Sequence, residues 1–154
     1  MSSKFKPLTD DFYVAPQLTE EDIAEAKALG IGLIIANRPD REEAGQPRHD
    51  DLAKAAKEHG IRFERIPVDQ RGVSRHHIDH FKSVVADYTG KTLAFCRSGT
   101  RSTILRAFVR ASEGDDINGL VREAMAAGYD LFTLVPGLEA VSPKTQPGAK
   151  RKPR

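Results

Sequence analysis

The chain has 154 residues, enough for one domain that buries a core without disulfides or metals. Hydrophobic residues make up 39% and charged residues 30% of it, the proportions of a soluble globular protein. The formal net charge is +2, but five basic residues and no acidic residue follow Val141. Without these five positive charges, the part of the chain up to Val141 has a net charge of 2 − 5 = −3. A negative body argues against a nucleic-acid partner.

The two ends of the chain differ in composition from its middle. The basic residues of the tail are Lys144, Lys150, Arg151, Lys152 and Arg154. Because they stand among prolines and a glycine, with little apolar surface to bury, we predict a disordered basic tail over 141–154. We also predict a flexible N-terminus over 1–7 and one domain over 8–140. No apolar run is long enough for a membrane span or a signal core, so we expect a cytoplasmic protein without a membrane partner.

Strand and helix signals alternate along the domain. A strand is predicted at 12–15, and Thr19 then begins a helix with Asp22 as its capping-box partner. The apolar run at 31–36 is typical of a strand buried on both faces. The later predicted elements are a helix closed by Gly60, a strand at 61–68, a helix capped by Ser74, a strand at 92–95, and helices around 104–109 and 117–127.

This alternation predicts an α/β fold with a mostly parallel central sheet flanked by helices. In such sheets, ligands bind beyond the carboxyl ends of the strands. Asn37, Asp69 and Cys96 each directly follow a predicted strand. We therefore expect these three side chains at one rim of the sheet.

Cys96 is the single cysteine, which excludes an internal disulfide and a multi-cysteine metal site. It stands between the predicted strand at 92–95 and a predicted helix. A thiol that faces a helix N-terminus lies in the positive potential of unpaired N–H groups, which favours the nucleophilic thiolate. The alternative is a buried, inert cysteine beside a basic turn.

The residues after Cys96 are suited to binding an anion. Gly99 allows the backbone to turn so that consecutive N–H groups face inward, and Arg101 offers a bidentate fork to a tetrahedral oxyanion. Ser102 is predicted to cap the following helix and to hydrogen-bond the sulfur. The remaining loop residues are Arg97, Ser98 and Thr100. The segment therefore predicts a cysteine nucleophile in an anion-binding loop.

This loop resembles those of cysteine-dependent phosphatases and of rhodanese-type sulfurtransferases. Together with 13–18, 37–40 and 66–68, it resembles the bacterial family described as the phosphatase-like domain of β-lactamase-hydrolase-like proteins, a family also labelled as sulfurtransferases. The resemblance covers residues 8 to 140. It implies the compact protein-tyrosine-phosphatase-like fold of the dual-specificity kind.

The loop departs from the phosphatase pattern in its length. Cysteine phosphatases place five residues between the cysteine and the arginine, whereas four separate Cys96 from Arg101. The tighter loop is similar to the shorter rhodanese loop and favours a persulfide over a phosphoryl group. Asp69 follows its strand as the general-acid aspartate does in dual-specificity phosphatases, so it is predicted to be that acid, with a turn residue as the alternative.

Two further groups of polar residues lie outside the cysteine loop. Asn37 and Asp40 are expected to brace the cysteine loop or line its pocket, although their spacing around a proline is also ordinary turn chemistry. His76 and His80 share one helix face, but no third metal ligand is evident, so we predict no metal site. No dinucleotide or nucleotide-phosphate motif is present, and we predict no cofactor.

Three functions are compatible with this pattern. The first is a phosphatase that acts on phosphate monoesters through a phosphocysteine, with Cys96 as nucleophile, Arg101 as oxyanion stabiliser and Asp69 as acid. The second is a sulfurtransferase that carries a persulfide on Cys96. The third is a non-catalytic module that binds phosphorylated ligands. All three imply a partner that bears phosphate or sulfur, and none defines the oligomeric state.

Overall fold

The structure of the protein is a computed structural model that describes residues 4–144. Its strands are β1 (Lys6–Thr9), β2 (Phe12–Ala15), β3 (Ile31–Ala36), β4 (Arg62–Arg65) and β5 (Lys91–Phe95). Its helices are α1 (Glu20–Ala28), α2 (His49–Glu58), α3 (Arg75–Val85), α4 (Thr100–Ser112), α5 (Ile117–Ala126) and α6 (Val135–Val141), with a 3-10 turn at Phe132–Leu134. Among residues 4–144, no helix combines the length and apolar character that a bilayer crossing needs.

The five strands form one sheet in the order β1-β2-β5-β3-β4. β1 runs antiparallel to β2, and the other neighbours are parallel. The predicted mostly parallel α/β sheet is therefore confirmed.

Helices cover both faces of the sheet, which explains the unbroken apolar runs of its central strands. Successive side chains of a strand point to opposite faces. Ile34 accordingly packs in the cluster that contains Ile23 of α1 and Leu52 of α2. Its neighbour Leu33 packs in the cluster that contains Phe81 of α3.

The predicted helix starts at Thr19 and Ser74 are confirmed. Thr19 accepts a hydrogen bond from the Asp22 N–H, and the Asp22 carboxylate accepts one from the Thr19 N–H. Ser74 forms the same reciprocal pair with His77, whose ring nitrogen takes the place of the Glu or Gln side chain of the usual capping box.

The strand predicted at 61–68 is shorter, because β4 ends at Arg65. The chain still runs beside β3, since Ile66 and Val68 donate backbone hydrogen bonds to the carbonyls of Ala36 and Asn37. Pro67 lies between them and has no N–H to donate, which interrupts a regular ladder.

The first strand lies partly within residues 1–7, the segment predicted as a flexible N-terminus. β1 begins at Lys6, and Phe5 is only 6% exposed because its ring joins the core. At the other end, α6 continues to Val141 and Ser142 is buried, so the folded domain passes the predicted boundary at 140. Residues 1–3 of that N-terminus and 145–154 of the predicted basic tail lie outside the described residues.

Candidate active site

Cys96 lies at the carboxyl edge of the sheet, as its place after β5 predicts. Its N–H donates to the Ala15 carbonyl at 3.2 Å, and the neighbouring Phe95 carbonyl accepts from the Asn37 N–H at 2.8 Å. These bonds join the ends of three parallel strands at one rim. The thiol itself is buried.

The N-terminus of α4 faces the sulfur of Cys96. The Gly99 N–H donates to Sγ at 3.0 Å, and Gly99 is the residue that caps α4. Its φ of +95° is in the left-handed region, which favours glycine. The bond brings a helix-terminal N–H and its partial positive charge to the sulfur, an arrangement that stabilises a thiolate.

Ser98 and Thr100 are hydrogen-bonded to each other, whereas Arg97 faces solvent. The Ser98 hydroxyl donates to the Thr100 hydroxyl at 2.9 Å and accepts from the Thr100 N–H at 3.3 Å. Arg97 is exposed and contacts Glu43 at 3.5 Å. The bonds between Ser98 and Thr100 brace the turn that leads into α4.

Ser102 does not have the role that the sequence predicts for it. α4 begins at Thr100 because the left-handed Gly99 turns the chain into the helix earlier, so Ser102 lies within the first turn and does not cap it. Its hydroxyl is buried and has no hydrogen-bond partner within residues 4–144. The predicted hydrogen bond from Ser102 to the sulfur of Cys96 is therefore not formed.

Arg101 reaches back over the rim from α4. Its two terminal nitrogens donate to the two carboxylate oxygens of Glu42 at 2.7 Å each, and one also donates to the Val68 carbonyl at 2.7 Å. The hydrogen bonds to Glu42 raise the pKa of Arg101, and the charge of Cys96 adds to this effect. The guanidinium is thus fixed, charged and close to the sulfur.

Glu42 is a site residue that sequence reasoning missed. It also accepts a hydrogen bond from Nε of Arg38 at 3.0 Å, and Arg38 is buried and bonded to Gln17 and Glu43 as well. The hydrogen bonds from Arg101, and secondarily from Arg38, lower the pKa of Glu42. The one signal in the sequence was the spacing of four residues from Arg38.

Asp69 and Glu42 line the same open cleft, of about 350 Å³, together with Pro39, Gln70 and Arg71. The Asp69 carboxylate accepts hydrogen bonds from the backbone N–H of Arg71 at 2.9 Å and from its guanidinium at 2.9 and 3.2 Å. The side-chain hydrogen bonds from Arg71 lower the pKa of Asp69. The carboxylate is therefore ionised in this arrangement, whereas a general acid must carry a proton.

Asn37 and Asp40 stabilise the rim in different ways. The Asn37 amide donates to the Ile66 carbonyl at 2.9 Å and ties the end of β3 to the chain after β4. Asp40 accepts from the His49 N–H at 2.9 Å, at the first turn of α2. Each bond is a structural brace, and that of Asp40 joins the loop after β3 to the start of α2.

The three histidines of α3 lie next to one another on the helix. The ring of His76 is centred 6.1 Å from His77 and 6.2 Å from His80. Across residues 4–144, no three histidine, cysteine or carboxylate side chains are grouped as a metal site requires.

Tyr129 is the second site residue that sequence reasoning missed. It lies two residues beyond the C-cap of α5, and its hydroxyl donates to the Ser98 carbonyl at 2.9 Å. Burial raises the pKa of Tyr129, and the charge of Cys96 raises it further. No local pattern marks this tyrosine, since it lies 31 residues along the chain from Ser98.

In this protein a cysteine follows a central parallel strand and leads into a glycine turn, a helix N-terminus and an arginine. The fold is that of the phosphatase-like class of α/β domains, the protein-tyrosine-phosphatase and dual-specificity fold. The family described as "Beta-lactamase hydrolase-like protein, phosphatase-like domain" matches residues 4–113, and the chain belongs to this family. The resemblance predicted from the sequence is confirmed.

Relatives and solved structures agree with this assignment. The beta-lactamase hydrolase-like protein of Xylella fastidiosa is 34% identical over 125 residues, which are 79% of this chain and 28% of that protein. The chain thus spans less than a third of that relative. A candidate phosphatase from Neisseria meningitidis superposes with a TM-score of 0.80 at 34% identity, covering 91% of this chain and 99% of that one. Kinase associated phosphatase, at 15% identity and a TM-score of 0.67 over 92% and 94% of the two chains, shows the shared fold.

Proposed function

We propose that the protein is a cysteine-dependent phosphatase that hydrolyses phosphate monoesters. The observation that carries the proposal is the hydrogen bond from the Gly99 N–H to the Cys96 sulfur at the N-terminus of α4, with Arg101 fixed beside it. The phosphatase-like family adds support. A phosphate monoester is an anion, and the helix N-terminus and guanidinium both favour negative charge.

The proposed reaction has two steps. The Cys96 thiolate attacks phosphorus, so a sulfur–phosphorus bond forms as the bond to the leaving oxygen breaks, and that oxygen takes up a proton. Water then attacks the phosphocysteine, the sulfur–phosphorus bond breaks, and inorganic phosphate leaves with the thiolate restored. The loop N–H groups and Arg101 stabilise the charge on the phosphoryl oxygens in both transition states.

Asp69 is the proposed proton donor for the leaving oxygen. The observation that supports this role is the position of Asp69 in the same cleft as Glu42, the residue that pairs with Arg101. Because Arg71 holds the carboxylate ionised, Asp69 serves as an acid only when the substrate displaces the guanidinium of Arg71. This requirement makes Arg71 part of the proposed mechanism.

The test compares wild type with Cys96→Ser and Arg101→Lys on a chromogenic aryl phosphate. We expect phosphate release by wild type, none above background by Cys96→Ser, and a strong loss with Arg101→Lys, since lysine cannot form a bidentate contact. Arg65→Lys is the matched control, because Arg65 is an exposed arginine whose salt bridge is to Asp50. Release that persists in Cys96→Ser would overturn the proposal.

A second candidate function is sulfur transfer through a persulfide on Cys96. The observations that favour it are the four-residue spacing to Arg101 and the occupation of that guanidinium by Glu42, which leaves fewer donors for a phosphoryl group. Treatment with thiosulfate followed by mass spectrometry tests it, since a persulfide adds about 32 mass units, the mass of one sulfur atom, to a protein with one cysteine. Thiocyanate formation from cyanide without phosphate release would favour this function. The absence of both phosphate release and sulfur transfer would favour a module that binds phosphorylated ligands.

A further inference from the structure

One peptide group of the loop is held at both of its ends. The carbonyl of Ser98 accepts the hydrogen bond from the Tyr129 hydroxyl at 2.9 Å. The N–H of Gly99 donates to the sulfur of Cys96 at 3.0 Å. The carbonyl and the N–H belong to the same planar unit, so the direction of one determines the direction of the other.

From this we infer that Tyr129 is a positioning residue of the candidate active site: by holding the Ser98 carbonyl, it keeps the Gly99 N–H directed at the Cys96 sulfur. The inference deepens the proposed phosphatase function and rests on it. It also assigns a role to a residue beyond 4–113, the part of the chain that the family matches.

The Ser98–Gly99 peptide group needs such a hold because glycine allows it to rotate. Gly99 has a φ of +95°, and a residue without Cβ exchanges among backbone conformations more readily than any other. If the group turned over, the Ser98 carbonyl oxygen would face the sulfur and repel a thiolate. A hydrogen bond from Tyr129 to that carbonyl opposes the turn. It also polarises the peptide group, which makes the Gly99 N–H a stronger donor.

The close approach of Tyr129 explains why the position requires glycine. A Cβ added at residue 99 would lie 2.1 Å from the Tyr129 hydroxyl oxygen, well inside any permitted contact. The phenol therefore occupies the space that any other side chain at this position would need. Gly99 serves two purposes here, the left-handed turn and room for Tyr129.

Tyr129 is itself firmly placed. Its N–H donates to the Ala124 carbonyl at 2.8 Å, at the end of α5, and its ring packs against the cluster that contains Leu120, Leu131 and Leu138. Since burial and the neighbouring sulfur raise the pKa of Tyr129, the hydroxyl keeps its proton at neutral pH and remains a donor.

The experiment is the pH dependence of Cys96 alkylation by iodoacetamide in wild type and Tyr129→Phe. Only the thiolate reacts, and the chain has one cysteine, so the midpoint of the rate against pH reports the ionisation of Cys96, while the limiting rate at alkaline pH reports how accessible its buried sulfur is. At neutral pH we expect a rate about fivefold lower in Tyr129→Phe, the effect of one hydrogen bond. The midpoint of the profile moves to higher pH, and the two proteins converge at alkaline pH where the thiol is fully ionised.

Tyr88→Phe is the matched control. The Tyr88 hydroxyl also donates to a backbone carbonyl, that of Lys91 at 2.6 Å, and its ring is also partly buried. Because this bond is outside the cysteine loop, its loss is expected to leave the alkylation profile unchanged. A Tyr129→Phe profile that superimposes on wild type overturns the inference, and so does an equal shift in both variants.

A second measurement uses Cys96→Ser and leaves Tyr129 in place. Removing the thiolate takes away a negative charge near the phenol, so the pKa of Tyr129 is expected to fall while that of Tyr88 stays constant. An unchanged Tyr129 pKa overturns the inference. Neither measurement needs a substrate, so failure of the phosphatase proposal, seen as no Cys96-dependent phosphate release, is separate from failure of this one.

Discussion

Glu42 binds Arg101 through both of its carboxylate oxygens, with each oxygen 2.7 Å from a terminal nitrogen of the guanidinium. The same carboxylate accepts a hydrogen bond from the buried Arg38, so it is shared by two cations. This pairing holds Arg101 in place before any ligand arrives. It also fills one side of the guanidinium, so an anionic substrate must use its remaining N–H groups or displace Glu42.

Replacing Glu42 by Gln is expected to lower the free energy of unfolding by about 1–3 kcal/mol at neutral pH. The amide cannot accept from both guanidinium groups as an ionised carboxylate does, and it leaves Arg38 with less compensation for its buried charge. Urea unfolding followed by circular dichroism measures the difference.

The control for this stability prediction is Glu64→Gln. Glu64 also pairs with an arginine, Arg62, at 2.9 Å, but in an exposed position where such pairs contribute little. We expect the two variants to differ clearly. Equal unfolding midpoints would show that the Glu42 network adds no more stability than an exposed ion pair.

The stabilisation by Glu42 is expected to disappear in acid. Hydrogen bonds from Arg101 lower the pKa of Glu42 in the folded protein below its ordinary value of 4.5. A carboxylate with a lowered folded pKa stabilises the fold above its unfolded pKa and loses that effect as the pH falls through the folded pKa. The stability difference between wild type and Glu42→Gln should therefore be constant above pH 5 and shrink progressively below about 4.5. A difference that stays constant to pH 2 contradicts the prediction.

Much of the fold could be predicted from the sequence because its signals are local. The apolar runs at β3 and β5 and the caps at Thr19 and Ser74 depend on neighbouring residues. β1 escaped prediction because it is short, polar and interrupted by Pro7, features that a strand tolerates only at a sheet edge.

The candidate site could be predicted only in part, for a physical reason. The sequence located Cys96, Gly99 and Arg101 because one short loop carries all three. Glu42 and Tyr129 were missed because their bonds cross 59 and 31 residues of chain, a distance at which a single sequence carries no pairing signal. Long-range polar contacts of this kind depend on how the elements pack.

Replacing Arg71 by Ala is expected to move the descending limb of the pH–rate profile to higher pH. Arg71 lowers the pKa of Asp69 by hydrogen-bonding its carboxylate, so its removal raises that pKa. If Asp69 is the general acid, a larger fraction of it then carries a proton at each pH. The measurement is kcat/KM for an aryl phosphate against pH.

Arg65→Ala controls for the loss of one positive charge, since Arg65 also pairs with an exposed carboxylate, that of Asp50 at 2.9 Å. Its profile should coincide with wild type. Asp69→Asn should abolish the limb altogether. A limb that stays in place in both Arg71→Ala and Asp69→Asn would remove Asp69 from the mechanism and leave proton donation to solvent.

Replacing Gly99 by Ala is expected to destabilise the protein more than replacing Gly30 by Ala. Both glycines have a positive φ, +95° and +85°, so both variants incur about 1–2 kcal/mol of backbone strain. Only at Gly99 does the new methyl group meet another residue, since a Cβ at Gly30 has nothing within 4 Å. The phenol of Tyr129 must therefore move and release the Ser98 carbonyl.

Thermal unfolding together with alkylation of Cys96 separates the two effects of Gly99→Ala. The strain appears in both glycine variants, whereas slower alkylation at neutral pH is expected in Gly99→Ala alone. Adding Tyr129→Phe to Gly99→Ala removes the oxygen that would lie 2.1 Å from the new methyl group, so part of the lost stability should return while alkylation stays slow. If Gly99→Ala and Gly30→Ala show the same loss of stability and the same alkylation rate, the Tyr129 ring moves aside without a measurable loss of free energy. In that case Tyr129 is too loosely held to orient the peptide group that faces the sulfur.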